Sequence, residues 1–194
     1  MTAPVKINFR IYQGSTFNET LRYESATKVY TPITAILAAA PLTITAATHG
    51  MLVGWRGKIS GVLGMTEVNS LDYIVCTAKT TDNVTFNSVN TAGFKTYVSG
   101  GVLEYNAPRS LTGITARMQI REKVTSTTTL DELTAENGKI VVDDATKTIS
   151  IVIPAGETEL YTFKTAVYSL ELVDGTTVIP FIYGNMTLDR EITK

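Results

Sequence analysis

Few side chains in this 194-residue chain could carry chemistry, and the first to consider is its single histidine. His49 lies between Thr48 and Gly50, before a glycine-rich stretch, where an imidazole could act as a general base. Such a base needs a nucleophile and an orienting acid around it. Ser60 follows nearby, but no Gly-x-Ser-x-Gly motif surrounds it. We therefore expect His49 to bond or cap a turn, and we expect a protein that is not an enzyme.

The other reactive groups also favour structural roles. Cys76, the only cysteine, lies in the strand-like segment LDYIVCTA, where a buried and inert thiol is expected. The carboxylate pairs Asp131-Glu132 and Asp143-Asp144 lie at predicted turns, where aspartate bonds backbone N–H groups, and the EF-hand spacing is absent. The sequence predicts no metal, no cofactor and no catalytic residue.

Aromatic side chains leave a binding function open. Trp55, Tyr97 and Tyr105 lie in the middle of the chain, and aromatic faces of this kind can stack on sugar rings. Aromatic residues spread along strands more often belong to a core or an interface. A host glycan or receptor therefore remains an alternative ligand.

Composition excludes several classes of partner. The net charge is −1, from 17 basic and 18 acidic residues, and neither sign forms a block, so we expect no nucleic acid and no anionic membrane as partner. Hydrophobic residues make up 44% of the chain, which is enough for a packed core. The first residues lack the apolar core of a secretory signal, and no apolar run approaches a membrane span, so we expect synthesis and assembly in the cytoplasm.

Alternating apolar residues predict strands along most of the chain. Residues 5–11 and 16–23 alternate at period two, and the turn at residues 13–15 predicts that they form a hairpin. Pro32 places residues 29–36 in an edge strand or a loop. Residues 38–40, three alanines before Pro41, are expected to be a connector.

The later strands fall into two sets that differ in glycine content. The central set is rich in glycine and is predicted at residues 42–46, 52–60, 71–79, 83–89 and 97–105, with a turn at Asp82-Asn83. The second set comprises a strand at residues 111–122, a polar excursion over 125–133, a hairpin over 138–154, one helical turn within 157–163 and a final hairpin over 166–188. This change in glycine content predicts one β domain whose sequence is interrupted by the insertion of a second β domain.

The central sequence resembles a repeat of many tailed-bacteriophage structural proteins. The resemblance rests on ITAATHG, ISGVLGMTEVN, DYIV and YVSGG, and that repeat is similar to a β-barrel half-domain of ubiquitin-activating enzymes. The chain departs from the repeat at Arg56, Lys58 and Ser70. The resemblance implies a β scaffold and no catalytic cysteine.

The flanking sequence resembles a family of tailed-phage virion proteins. The similarity lies in QGSTF, LTGITARMQIRE, GKIVVDDATKTISIVIPAGETEL and YSLELVDGTTVIPFIYGNMTLDREIT, and it implies the immunoglobulin-like sandwich of tail tips, baseplates and fibre attachments. The expected fold class is therefore all-β, with a discontinuous Ig-like β-sandwich formed by residues 1–38 and 107–194. The expected insert is a small β-barrel domain over residues 39–106.

The two resemblances imply a function and a set of partners. We expect a structural protein of the virion that docks in the tail or baseplate and contacts copies of itself, other virion proteins or fibres. Two alternatives stay open, namely head decoration or head-fibre anchoring, and binding of a host glycan or receptor through the aromatic residues of the insert.

Overall fold

A computed structural model describes residues 3–192 and shows an all-β protein with two compact units. One unit contains the described residues up to Tyr23 and those from Ser110 onward, and the other is Glu24–Arg109. We call the first the split unit and the second the inserted unit.

The strands are, in chain order, β1 (Val5–Lys6), β2 (Phe9–Tyr12), β3 (Phe17–Arg22), β4 (Glu24–Pro32), β5 (Ala35–Leu37), β6 (Leu42–Thr45), β7 (Arg56–Leu63), β8 (Ile74–Val75), β9 (Ala78–Lys79), β10 (Asn83–Phe86), β11 (Ser99–Pro108), β12 (Ile114–Arg121), β13 (Asp131–Thr134), β14 (Ile140–Asp143), β15 (Thr148–Ile153), β16 (Thr165–Asp174) and β17 (Thr177–Asp189). Two short helices accompany them, a 3₁₀ helix at Thr66–Ser70 and α1 at Ala155–Thr158.

The split unit is a sandwich of two sheets. Its larger sheet has the order β1-β17-β16-β12-β13, with β2 also paired to β17, and its smaller sheet has the order β14-β15-β3. In an immunoglobulin sandwich, strands G, F and C share one sheet and strands D, E and B share the other. Here β17, β16 and β12 follow the first order and β14, β15 and β3 follow the second. The inserted unit therefore lies in the chain between strands B and C of this topology.

Alternation of apolar and polar residues builds the core of the sandwich. On β12, Ala116, Met118 and Ile120 are buried, and they belong to the same core as Ile149 and Ile151 of β15 in the other sheet. Each of the larger side chains, such as Met118 or Ile149, contributes about 1.5–3 kcal/mol when it is fully buried. This core holds the two sheets together.

Aromatic rings join the same two sheets near the beginning of the chain. Phe9 of β2 stacks on Tyr168 of β16 with ring centroids 5.0 Å apart, and it meets Phe17 of β3 edge to face at 5.3 Å. Phe9 therefore packs against both layers of the sandwich.

The predicted hairpin between residues 5–11 and 16–23 is wrong. Both β1 and β2 pair in parallel with β17, while β3 pairs with β15 in the other sheet. Val5, the first apolar residue of the alternating segment 5–11, is 59% exposed. The chain crosses from one sheet to the other through the turn after Tyr12. β2 therefore forms its backbone hydrogen bonds with the distant strand β17 rather than with β3, the next strand in sequence.

Side-chain hydrogen bonds hold the two residues between β1 and β2, Ile7 and Asn8, against the large sheet. The carbonyl oxygen of Ile7 accepts a hydrogen bond from the Tyr168 hydroxyl at 2.8 Å, and Asn8 Oδ1 accepts one from the backbone N–H of Asn185 at 3.0 Å. Gly184 lies directly beside this point, because a Cβ there would come within 1.8 Å of the Ile7 carbonyl oxygen.

The inserted unit contains two four-stranded sheets around its own core. Their orders are β4-β11-β7-β8 and β5-β6-β10-β9, and every pair is antiparallel. The chain passes from one sheet to the other four times, after β4, β6, β8 and β10. A single closed barrel stays a prediction, since the described strands of this unit form two separate four-stranded sheets.

The inserted unit begins earlier than the predicted boundary at residue 39. Its first strand is β4, which pairs with β11 from Val102↔Pro32 to Pro108↔Glu24. β11 lies about 75 residues after β4 in the sequence, so no pattern of neighbouring residues could indicate that the two strands pair. The edge position expected for Pro32 is confirmed, because β4 is an edge strand that ends at this residue.

Several shorter elements also differ from expectation. The segment predicted as one strand at 71–79 forms β8 and β9, and the strand predicted at 52–60 begins at Arg56. The polar excursion contains β13, and the helical turn expected within 157–163 lies at Ala155–Thr158. The alanines at 38–40 are a connector, as expected.

Candidate functional site

His49 is buried and both of its ring nitrogens are occupied by the main chain. Nδ1 accepts the backbone N–H of Met51 at 2.9 Å, which places the ring proton on Nε2, 3.1 Å from the carbonyl oxygen of Thr80. The residue is 1% exposed. Neither nitrogen is free to take a proton from a nucleophile, and the imidazole fixes the turn around Gly50.

The two hydroxyl residues considered beside His49 take separate positions. The backbone N–H of Thr48 donates to Asp82 Oδ1 at 3.0 Å, and its hydroxyl donates to the Ala47 carbonyl at 2.8 Å. Ser60 lies on β7 opposite Val102 of β11 and is exposed. No hydrogen bond among the described residues joins either hydroxyl to the imidazole.

Cys76 is buried, as the sequence predicted, although it lies between β8 and β9 rather than within one strand, and its neighbours Val75 and Thr77 are exposed. Its side chain is fully buried, and its thiol is 3.5 Å from the carbonyl oxygen of Ala78. Burial raises the pKa of this thiol, which keeps it protonated and weakly nucleophilic.

Asp131 and Glu132 do not form a joint metal site. Consecutive residues of a strand point to opposite faces of the sheet, and these two bind different partners. Asp131 accepts a hydrogen bond from the Tyr161 hydroxyl at 2.5 Å and is paired with Lys139 at 2.9 Å. Glu132 instead accepts the side-chain amide of Gln119 at 2.9 Å.

Lys139 pairs with the Asp131 carboxylate and links it to a second acidic residue. Its ammonium also pairs with Glu157 of α1. Burial alone would lower the pKa of Lys139, but hydrogen bonds to Glu157 and Asp131 outweigh this effect and raise the pKa. This group therefore ties α1 to the edge strand β13.

The second carboxylate pair stabilises two turns. Asp143 Oδ1 accepts the backbone N–H of Ala145 at 2.8 Å. Asp144 accepts the Leu111 N–H at 2.6 Å and pairs with Lys147 at 2.6 Å. The described residues contain no group of three or more His, Cys, Asp or Glu side chains that could hold a metal ion.

The aromatic residues proposed for sugar binding are mostly in the core. Trp55 is 1% exposed and Tyr105 is 2% exposed, so neither ring can stack on a ligand. The Tyr97 hydroxyl donates to the backbone carbonyls of Ile33 and Gly100 at 3.1 and 3.0 Å. The alternative in which aromatic faces of the insert stack on a sugar ring is therefore wrong for Trp55 and Tyr105.

A surface cluster lies on the β4-β11-β7-β8 sheet of the inserted unit. The ammonium of Lys28 donates to the Tyr73 hydroxyl at 2.7 Å and pairs with Glu104, and Tyr73 donates to the same carboxylate at 2.6 Å. The bonds to Glu104 and Tyr73 raise the pKa of Lys28, and the same bond from Lys28 lowers the pKa of Glu104. These charges are satisfied within the cluster.

Another candidate surface is the outer face of the large sheet of the split unit. Two neighbouring depressions lie on it, of about 520 and 290 Å³, and they share Gln119 and Ser169. Tyr183 lines the larger depression and is 45% exposed. The smaller one is lined by Arg117, Gln119, Glu132, Ser169 and Glu171. We call this surface the outer face.

Sequence alternation indicated part of the outer face. The polar side of residues 111–122 already contained Arg117, Gln119 and Arg121, and β16 contributes Ser169 and Glu171 by the same alternation. The sequence did not indicate which of these residues lie opposite each other, because that depends on the register of four strands.

No helix within residues 3–192 is long and apolar enough to cross a membrane. Compared with known proteins, the chain matches no family model, and no curated protein matches it either.

Proposed function

We propose that this protein is a non-enzymatic structural component of a tailed-phage virion, which docks in the tail or baseplate and contacts neighbouring subunits or fibres. The observation that carries the proposal is the outer face, a broad sheet surface with shallow depressions, exposed polar side chains and a half-exposed tyrosine. Subunits of symmetric assemblies meet through extended surfaces and strand edges of this kind.

The state of the reactive side chains is consistent with a structural role. His49 is bonded to the backbone at both nitrogens, Cys76 is buried with a raised pKa, and Asp131 and Asp144 are each paired with a lysine. These groups stabilise turns and strands, which is the task expected of polar residues in a scaffold protein.

Head decoration or head-fibre anchoring would use the same kind of surface. An experiment must therefore distinguish a position on the head from a position on the tail. Binding of a host glycan through Trp55 and Tyr105 has lost its structural basis, because both rings are buried. We therefore retain the docking role with its tail and head variants.

The experiment is to look for the protein on intact particles. Purified virions are first analysed by mass spectrometry, and a peptide tag fused to one end of the chain is then labelled and located by electron microscopy. Label at the tail end supports docking in the tail or baseplate, and label on the capsid or neck moves the role to the head. Absence of the protein from purified particles would overturn the proposal, and untagged particles serve as the control.

A further inference from the structure

The outer face presents two rows of side chains that cross neighbouring strands in register. In the first row, Glu171 of β16 lies opposite Arg117 of β12. In the second row, Tyr183 of β17 lies opposite Ser169 of β16, Ser169 lies opposite Gln119 of β12, and Gln119 lies opposite Glu132 of β13. The rows run perpendicular to the strands.

The charges of the first row are paired but remain accessible. Arg117 Nε and Nη2 lie 3.0 and 2.9 Å from the same oxygen, Oε2 of Glu171. The two side chains are 53% and 33% exposed. Oε1 of Glu171 accepts no hydrogen bond from the described residues, so one acceptor on this carboxylate remains available to another molecule.

A second copy of the chain complements these rows when it is turned by a two-fold axis that runs parallel to the strands, midway between β16 and β12. Such an axis places each row against the same row of the partner in the reverse direction. Glu171 then faces Arg117 of the second copy and Arg117 faces Glu171, which gives a square of four alternating charges. A two-fold axis parallel to the sheet but perpendicular to the strands would instead place β16 opposite β16 of the second copy and β12 opposite its β12.

The same axis gives Tyr183 a place to bind. It carries Tyr183 of one copy over Glu132 of the other, at the smaller depression on the outer face. Oε1 of Glu132 accepts the Gln119 amide, whereas Oε2 accepts no bond from the described residues. The tyrosine hydroxyl can therefore donate to Oε2 while its ring fills the depression, as aromatic anchors do at interfaces.

The size of the face suits a dimer. With β12 eight residues long and the edge strands β1 and β13 only two and four, the face measures at most about 27 Å by 24 Å, or roughly 650 Å², against about 800 Å² per partner of a standard interface. Sheets that pack face to face keep their strands within about 30° of each other, which preserves the opposition of rows near the axis.

We infer that the outer face is the interface of an isologous dimer, with Arg117 and Glu171 crossing the two-fold axis and Tyr183 entering the depression at Glu132. The inference deepens the proposed function by naming one partner, a second copy of the chain. It does not require the virion role: a dimer absent from particles would remove only the proposed function, and a monomeric virion protein would remove only this inference.

Charge exchange tests the interface. Sedimentation across a concentration series measures the dimer of the 21.0 kDa chain. Glu171→Arg and Arg117→Glu each place like charges across the axis, and we expect each variant to weaken dimerisation at least tenfold. The double variant R117E/E171R restores alternating charges, and we expect it to dimerise like the wild type.

Mixing the single variants provides an independent test. R117E carries two acidic groups at the axis and E171R carries two basic ones, so we expect the two monomeric proteins to form a heterodimer when combined. Tyr183→Ser should weaken the wild-type dimer through loss of the ring in the depression.

The matched control is Glu19→Arg, an exposed charge reversal on β3 of the other sheet, which should leave the dimer unchanged. Circular dichroism and thermal unfolding check that each variant is folded. A wild-type protein that sediments as a monomer up to its solubility limit overturns the inference. So does a dimer that neither single charge reversal weakens.

Discussion

The backbone carbonyl oxygen of His49 accepts a hydrogen bond from the hydroxyl of Tyr105, a residue 56 positions later in the chain. The imidazole of His49 bonds the backbone at Met51 and Thr80. One buried residue thus ties the turn at Gly50 to two other segments of the inserted unit. These bonds have consequences for stability that can be measured.

Replacing His49 by Ala should destabilise the inserted unit by about 1–3 kcal/mol, because the Met51 N–H and the Thr80 carbonyl lose their buried partner. The measurement is urea denaturation followed by the fluorescence of Trp55, the only tryptophan of the chain. Tyr105→Phe removes one bond from the same turn and should cost less, about 0.5–1.5 kcal/mol. An unchanged midpoint in H49A would mean that the imidazole does not hold the turn.

Trp55→Ala should cost about 3–5 kcal/mol, since it removes a side chain that is 1% exposed and leaves a cavity in the core. Thermal unfolding followed by circular dichroism gives the loss. Val53→Ala, at an exposed residue nearby, is the control and should change the free energy of unfolding little. A W55A protein as stable as the wild type would contradict the buried position.

Gly184→Ala should detach the N-terminal strands from β17. The new Cβ would lie 1.8 Å from the carbonyl oxygen of Ile7, so the backbone must move, at a cost of about 1–3 kcal/mol. Hydrogen exchange should show lost protection in β1 and β2. Gly156→Ala is the control, because a Cβ at Gly156 meets nothing within 4 Å. Equal protection in the wild type and G184A would show that the strands do not pack at Gly184.

Asp144→Asn should lower the melting temperature near neutral pH and flatten its dependence on acid. The Lys147 ammonium, the Leu111 N–H and the Thr112 hydroxyl hold the pKa of the Asp144 carboxyl well below its usual range. The stability from this lowered pKa is present above about pH 3.9, the ordinary aspartate value, and is lost as the pH falls through the folded-state pKa.

The comparison for Asp144 is the melting temperature of the wild type and D144N between about pH 2 and 7. The difference between the two proteins should narrow as the pH falls below about 3.9. A constant difference across this range would show that the charge of Asp144 does not stabilise the loop at Leu111.

Local pattern predicted the strand β12 and the β16–β17 hairpin, although it failed for the hairpin expected at residues 5–23. The alternation over residues 111–122 predicts β12 with Ala116, Met118 and Ile120 inward, and these side chains are buried. The turn at Asp174-Gly175 predicts the β16–β17 hairpin, in which Gly175 has a φ of 57°. Side chains alternate along a strand and tight turns need particular residues, so both signals exist before the chain folds.

Tertiary structure alone decided the pairings between distant segments. The sequence cannot show that β2 joins β17 rather than β3, or that β4 pairs with β11, since any strand with one apolar face can use several edges. The same holds for the candidate site. Alternation placed Arg117 and Glu171 on polar faces, but only the register of β12 with β16 brings them together, and only packing decides that Trp55 is buried rather than exposed.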